Sequence, residues 1–176
     1  MSNNSSNIPD FTKPQKNISE LIKQYKHELA KISPKTGRSY WQEICIYQKL
    51  EESVIKDNFI FFKSNFPIIF RNQRNLSENF IDWCMTKHEK LNNVINMFSW
   101  QAVSTYQPVS EVFIKKWEKY IYFNCLDLNE HFQYRNYSEE FFERHSKYFD
   151  LEKVNKERSF SKPFCLKYNL DSRWSK

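Results

Sequence analysis

Glycine is almost absent: Gly37 is the single glycine in 176 residues. Primed hairpin turns, nucleotide-binding loops and βαβ phosphate cradles all use glycine at positive φ. Their near exclusion favours an all-α chain. Long apolar runs are lacking too, and none approaches the roughly 18 residues of a membrane-spanning helix. The stretch Met1 to Asp10 is polar and rich in Asn and Ser, unlike a secretory signal, so classical secretion is not expected. No Cys-x-x-Cys pair occurs, and Cys45, Cys84, Cys125 and Cys165 are expected to be reduced thiols.

Aromatic residues are abundant. They make up 18% of the chain, as 16 Phe, 10 Tyr and 5 Trp, which suits a densely filled core. The length is that of one domain able to bury a core without disulfides. A formal net charge of +6 and a pI near 9.0 are compatible with an acidic partner.

A short pattern recurs along the chain. Its clearest copies are Tyr106-Gln107-Pro108-Val109-Ser110-Glu111-Val112-Phe113-Ile114 and Tyr134-Arg135-Asn136-Tyr137-Ser138-Glu139-Glu140-Phe141-Phe142. Anchors fall at Gln15, Tyr47, Gln73, Tyr106, Tyr134 and Glu157, spaced 32, 26, 33, 28 and 23 residues apart. Three residues after each anchor stands Ile18, Leu50, Leu76, Val109, Tyr137 or Phe160. The next residue is Ser19, Glu51, Ser77, Ser110, Ser138 or Ser161. Seven residues after the anchor comes Ile22, Val54, Phe80, Phe113, Phe141 or Phe164.

The serine column predicts helix N-caps, and acids just after it (Glu20, Glu78, Glu111, Glu139, Glu140) suit the helix dipole. Beyond each cap, apolar residues follow at helical spacing. Ahead of the anchor lies a second segment, in which Trp41, Ile44 and Tyr47 match Trp100, Val103 and Tyr106. Each unit is therefore expected to be a short helix, a tight turn and a longer Ser-capped helix. The expected architecture is all-α: a small α-solenoid of stacked helix–turn–helix repeats over residues 15–166. Tails 1–14 and 167–176 lack helical periodicity and are expected to be flexible or ordered by a partner. Ser33 to Ser39 reads as a loop, and Asn92 to Asn96 either lengthens a helix or bulges from the stack.

The segment Ser138 to Leu151 resembles the short helical repeats, often written Ser-Glu-Glu-Phe-Ile, of many giant DNA virus proteins. Phe149-Asp150-Leu151, Phe98-Ser99-Trp100 and Tyr47-Gln48-Lys49-Leu50-Glu51-Glu52 echo the same pattern, and the resemblance covers most of Gln15 to Cys165. Glu51 in place of a capping Ser, and Lys162-Pro163 in place of acids, depart from it. The resemblance implies a helical scaffold in a virion or infected-cell assembly, such as a minor capsid component, located in the particle or the host cytoplasm. It implies no activity.

Chemistry-bearing residues are sparse. Cys84 and His88, four apart on one helix, could share a metal with Cys125 and His131, but Cys84 shares a repeat column with Asn58, Trp117 and His145 and reads as packing. Glu51-Glu52 and Glu139-Glu140 fall in first helical turns, where acids are expected for dipole reasons. No catalytic residue, cofactor or metal is expected. A basic surface of Lys115, Lys116, Lys119 and Lys147, with further lysines late in the helices, supports nucleic-acid binding or packaging as the alternative function. The leading expectation is a non-enzymatic protein contacting other proteins, with Phe11, Arg173 and Trp174 in the tails as partner-binding residues.

Overall fold

The computed structural model describes residues 8–74, 76–88, 93–126, 129 and 132–171. Among these the regular structure is entirely helical, apart from one isolated antiparallel bridge between Ile32 and Ser39. In chain order the helices are α1 (Ile18–Tyr25), α2 (Tyr40–Tyr47), α3 (Glu52–Asp57), α4 (Phe59–Phe62), α5 (Phe66–Asn72) and α6 (Glu78–His88). There follow α7 (Asn93–Tyr106), α8 (Glu111–Trp117), α9 (Phe123–Leu126), α10 (Glu139–Arg144), α11 (Leu151–Arg158) and α12 (Lys162–Tyr168). Short 3₁₀ turns extend α4, α8 and α10 and also form at Tyr134–Asn136.

Four serines of the repeat column cap helices as their sequence positions predict. Ser77, Ser110, Ser138 and Ser161 accept the backbone N–H of Phe80, Phe113, Phe141 and Phe164 at 3.1, 3.2, 3.0 and 3.4 Å. Ser19 instead lies inside α1, and Glu51 makes no side-chain cap bond to α3. Ser39, expected in a loop, ends that loop by capping α2 in a reciprocal box with Gln42. The loop turns at Gly37, whose φ of +69° is the left-handed conformation that glycine adopts without strain.

The expected helix lengths are partly reversed. The Ser-capped helices α8, α10 and α12 span only 7, 6 and 7 residues, whereas α7 spans 14 and the Ser77-capped α6 spans 11. Capped helices stop early because a 3₁₀ turn takes over, as at Glu118–Tyr120 and Ser146–Tyr148. Residues 93–96 belong to α7, so that insertion lengthens the helix.

Hydrophobic positions follow the repeat columns. Val54, Phe80, Phe113, Phe141 and Phe164 are buried, as are Leu50, Leu76, Val109, Tyr137 and Phe160. One core runs from Phe11 to Cys165. Its aromatics meet in stacked and edge-on pairs: Trp41 stacks on Phe61 at 5.0 Å, and Trp100 stacks on Tyr120 at 5.4 Å.

Both tails are more engaged than their sequences suggest. Phe11, expected to reach a partner, is fully buried and meets Tyr40 edge-on at 6.1 Å. The Gln48 side chain donates to the carbonyls of Phe11 and Lys13 at 2.6 and 2.8 Å, which holds the segment in place. Asp10 pairs with Lys35 at 2.8 Å, and that ammonium, with help from Thr12, pulls the Asp10 carboxyl down to about 2. At the other end, Asn155 donates to the carbonyl of Asp171 at 2.9 Å, and Leu170 packs on the core. Arg173 and Trp174 lie outside the described residues.

Candidate functional site

Two ladders of polar side chains join successive units. The first links capped helices. Glu52, at the first position of α3, accepts both the N–H and the hydroxyl of Ser77, at 2.7 and 3.0 Å. Glu78 does the same for Ser110, whose hydroxyl lies at 3.0 Å. Glu111 holds Ser138 at 2.8 and 2.7 Å, and Glu139 holds Ser161 at 2.5 and 2.7 Å. The sequence places these acids correctly in the first turn. It does not show that each reaches the cap of the following unit.

The second ladder uses amides at the ends of the intervening helices. Gln73 donates to the carbonyls of Cys45 and Gln48, at 3.3 and 2.7 Å, and accepts from Leu50 N–H at 2.9 Å. Gln107 donates to Phe70 and Gln73, at 2.5 and 2.8 Å, and accepts from Leu76 N–H at 3.2 Å. Asn129 continues with Ser104 and Gln107, at 3.1 and 3.0 Å. These amides are buried, and they satisfy the free carbonyls at the preceding helix end. Sequence reasoning missed their role. The signal was present: Gln48 and Gln107 each follow a matched tyrosine, and Gln73 does the same work one column earlier.

The lysines expected to form a basic surface, Lys115, Lys116, Lys119 and Lys147, are all exposed, and three of them make contacts within the fold. Lys116 pairs with Asp82, and further pairs join Arg144 to Glu118 and Lys167 to Glu143 across successive units. Lys119 lies over the Tyr120 ring at 4.5 Å and Lys147 over Tyr148 at 4.8 Å. Lys116, Lys119 and Lys147 thus each contact an acid or a ring of their own unit or the one before, and all three remain exposed, as does Lys115.

Of the candidate metal ligands, the side chain of His88 lies outside the described residues. Cys84 is fully buried, Cys125 lies elsewhere at the edge of a groove, and His131 lies outside the described residues. No cluster of three metal-ligating side chains forms among the described residues. Burial pushes the Cys45, Cys84 and Cys165 thiols up from their ordinary value. His145 is buried between Phe123, stacked at 4.2 Å, and Phe141, at 4.8 Å. Desolvation lowers its pKa, against the opposing charge of Glu118 at 3.7 Å.

On the face built by α2, α5, α7 and α9 lies an open groove of about 810 Å³. Its walls include Pro67, Ile68, Phe98, Ala102 and Tyr106, and among the described residues Arg71 is the one charged residue lining it. Phe98 is half exposed there. Among the described residues no helix is long and apolar enough to cross a membrane. Comparison with protein-family models, curated proteins and solved structures gives no match.

Proposed function

We propose that this chain is a non-enzymatic helical repeat protein, a small α-solenoid, that mediates protein–protein contacts. The observation that carries the reading is the carboxylate–serine bridge, which recurs with the same atoms at four successive junctions, Glu52–Ser77 to Glu139–Ser161. Identical junctions are what stacked units require, because each unit contacts chiefly its neighbours. Stacks of this kind offer long continuous faces to other proteins. Similarity to the Ser-Glu-Glu-Phe-Ile repeats supports a setting in a giant-virus particle or infected-cell assembly, as a structural or minor capsid component.

The repeat arrangement is tested by removing the last unit after Arg158. A stack keeps hydrogen-exchange protection in α2 to α8, whereas a fold with a shared, non-modular core loses it throughout. The biological role is tested by in-particle crosslinking with mass spectrometry: contacts to virion proteins support it, and absence from purified particles removes the virion setting. Nucleic-acid binding is the competing role. A gel shift that weakens steeply with salt would favour it, but engagement of Lys116, Lys119 and Lys147 within the fold makes a protein partner the better reading.

A further inference from the structure

The groove between α5 and α7 has a shape that the ladders do not explain. Along α5 its wall contains Pro67, Ile68 and Arg71, and along α7 it contains Phe98, Gln101, Ala102 and Thr105. The α7 residues recur at i, i+3, i+4 and i+7, so one strip of that helix faces the groove. Ala102 is buried in the middle of the strip, while Phe98 and Tyr106 stand at its two ends. An open groove with a buried alanine between two aromatic ends is a form that receives the apolar stripe of another helix.

Charge narrows the occupant. Arg71 is exposed and lies 5.7 Å from the Tyr106 ring, at the rim of the trough. Among the described residues no acid lines the groove, and the whole chain carries +6. A cationic rim on a basic protein favours a partner with carboxylates beside its apolar stripe and disfavours a basic one. We infer that this groove binds an acidic amphipathic helix of another protein, with apolar residues against Phe98 and Ala102 and a carboxylate against Arg71. The inference rests on the proposed protein-binding role and specifies its surface and its partner's chemistry.

The test uses two synthetic 18-residue peptides with the same leucine stripe at i, i+3, i+4 and i+7. One carries glutamates beside the stripe and the other lysines. Binding to the full-length chain is read by fluorescence anisotropy, with hydrogen-exchange footprints on α5 and α7. The glutamate peptide is expected to bind at least tenfold more tightly than the lysine peptide. Phe98→Asp removes binding, and Arg71→Glu reverses the preference. Both residues are exposed, so circular dichroism and melting should match the native chain. Binding of neither peptide, equal binding of both, or a footprint away from α5 and α7 overturns the inference. So does a concentration-dependent dimer that protects the groove, since the occupant is then a second copy. Partner proteins crosslinked from a photoreactive residue at Val112 or Leu166, but not at Phe98, would reject the groove and leave the repeat-protein reading standing.

Discussion

The carboxylate of Glu111 holds both the backbone N–H and the hydroxyl of Ser138, at 2.8 and 2.7 Å, although the two residues are 27 positions apart. The same serine caps α10 by accepting the Phe141 N–H. One side chain thus starts its own helix and fastens it to the preceding capped helix, α8.

Ser138→Ala should lower stability by about 1–2 kcal/mol, since it removes a cap and a charge-assisted bond together. A double-mutant cycle with Glu111→Ala should give a coupling of roughly 1 kcal/mol, reduced from buried-site values by the exposure of the pair. Ser19→Ala, in the same repeat column but within α1, should change stability by less than about 0.5 kcal/mol. Chemical denaturation measures all three, and a coupling near zero would reduce the bridge to a crystal-like surface contact of no energetic weight.

Gln107 is the costlier residue to lose. It is fully buried and serves two carbonyls and one N–H on other segments. Gln107→Ala should destabilise by roughly 3 kcal/mol or more, because a cavity and three unpaired buried groups add together. Thermal melting of Gln107→Ala beside an exposed control such as Gln101→Ala would show the difference.

Acidification should loosen the chain through His145. Desolvation among Phe123 and Phe141 lowers its folded-state pKa below the ordinary 6.5, so folding favours the neutral ring. The associated stability is present above about pH 6.5 and is lost as the pH falls through the lower folded-state value. Glu118 and Glu111 oppose the shift, while Arg144 and Lys147 reinforce it. His145→Phe should flatten the dependence of melting temperature on pH between 7.5 and 5 (roughly the range around the unperturbed histidine value). An unchanged slope would assign the dependence to other groups.

Thiol chemistry should discriminate sharply among the cysteines. Cys45, Cys84 and Cys165 are buried with raised pKa values, whereas Cys125 is half-buried. A water-soluble disulfide reagent at pH 8 should label Cys125 first, and the other three only on unfolding. Peptide mapping after brief labelling provides the readout.

The capped-helix scheme was legible because it rests on short-range chemistry. A Ser followed by an acid and an apolar residue determines an N-terminus within a few residues, and Ser77, Ser110, Ser138 and Ser161 all behave accordingly. The second function of the acids was not legible, because it depends on which unit lies beside which. Gln73 shows the limit most clearly. Aligned by its serine, it falls in the column of Tyr47 and Tyr106, but its hydrogen bonds make it the counterpart of Gln48 and Gln107. One extra residue before Ser77 shifts the register, and only the three-dimensional pairing reveals it. Phe11 misled in the opposite way: a lone aromatic between prolines reads as a projecting anchor, yet Gln48 draws its backbone onto the core. The groove was hidden because its wall is assembled from four separate helices.

The carboxylate–serine ladder also gives the chain a direction and two different ends. Before the first bridging acid, Glu52, stands Glu51, which has no hydroxyl to donate, and after Ser161 stands Lys162, a cation where each earlier junction has its carboxylate. Leu166 is 80% exposed at the position, five residues past the cap, where Asp82 and Glu143 accept cations from the next unit. A segment duplicated in the interior would bring its own acid and serine and could be inserted without breaking any bridge. A segment added after α12 would meet lysine and leucine instead. The ladder therefore reads in one direction only, each acid reaching forward to the next serine, and its chemistry changes at its two outermost positions.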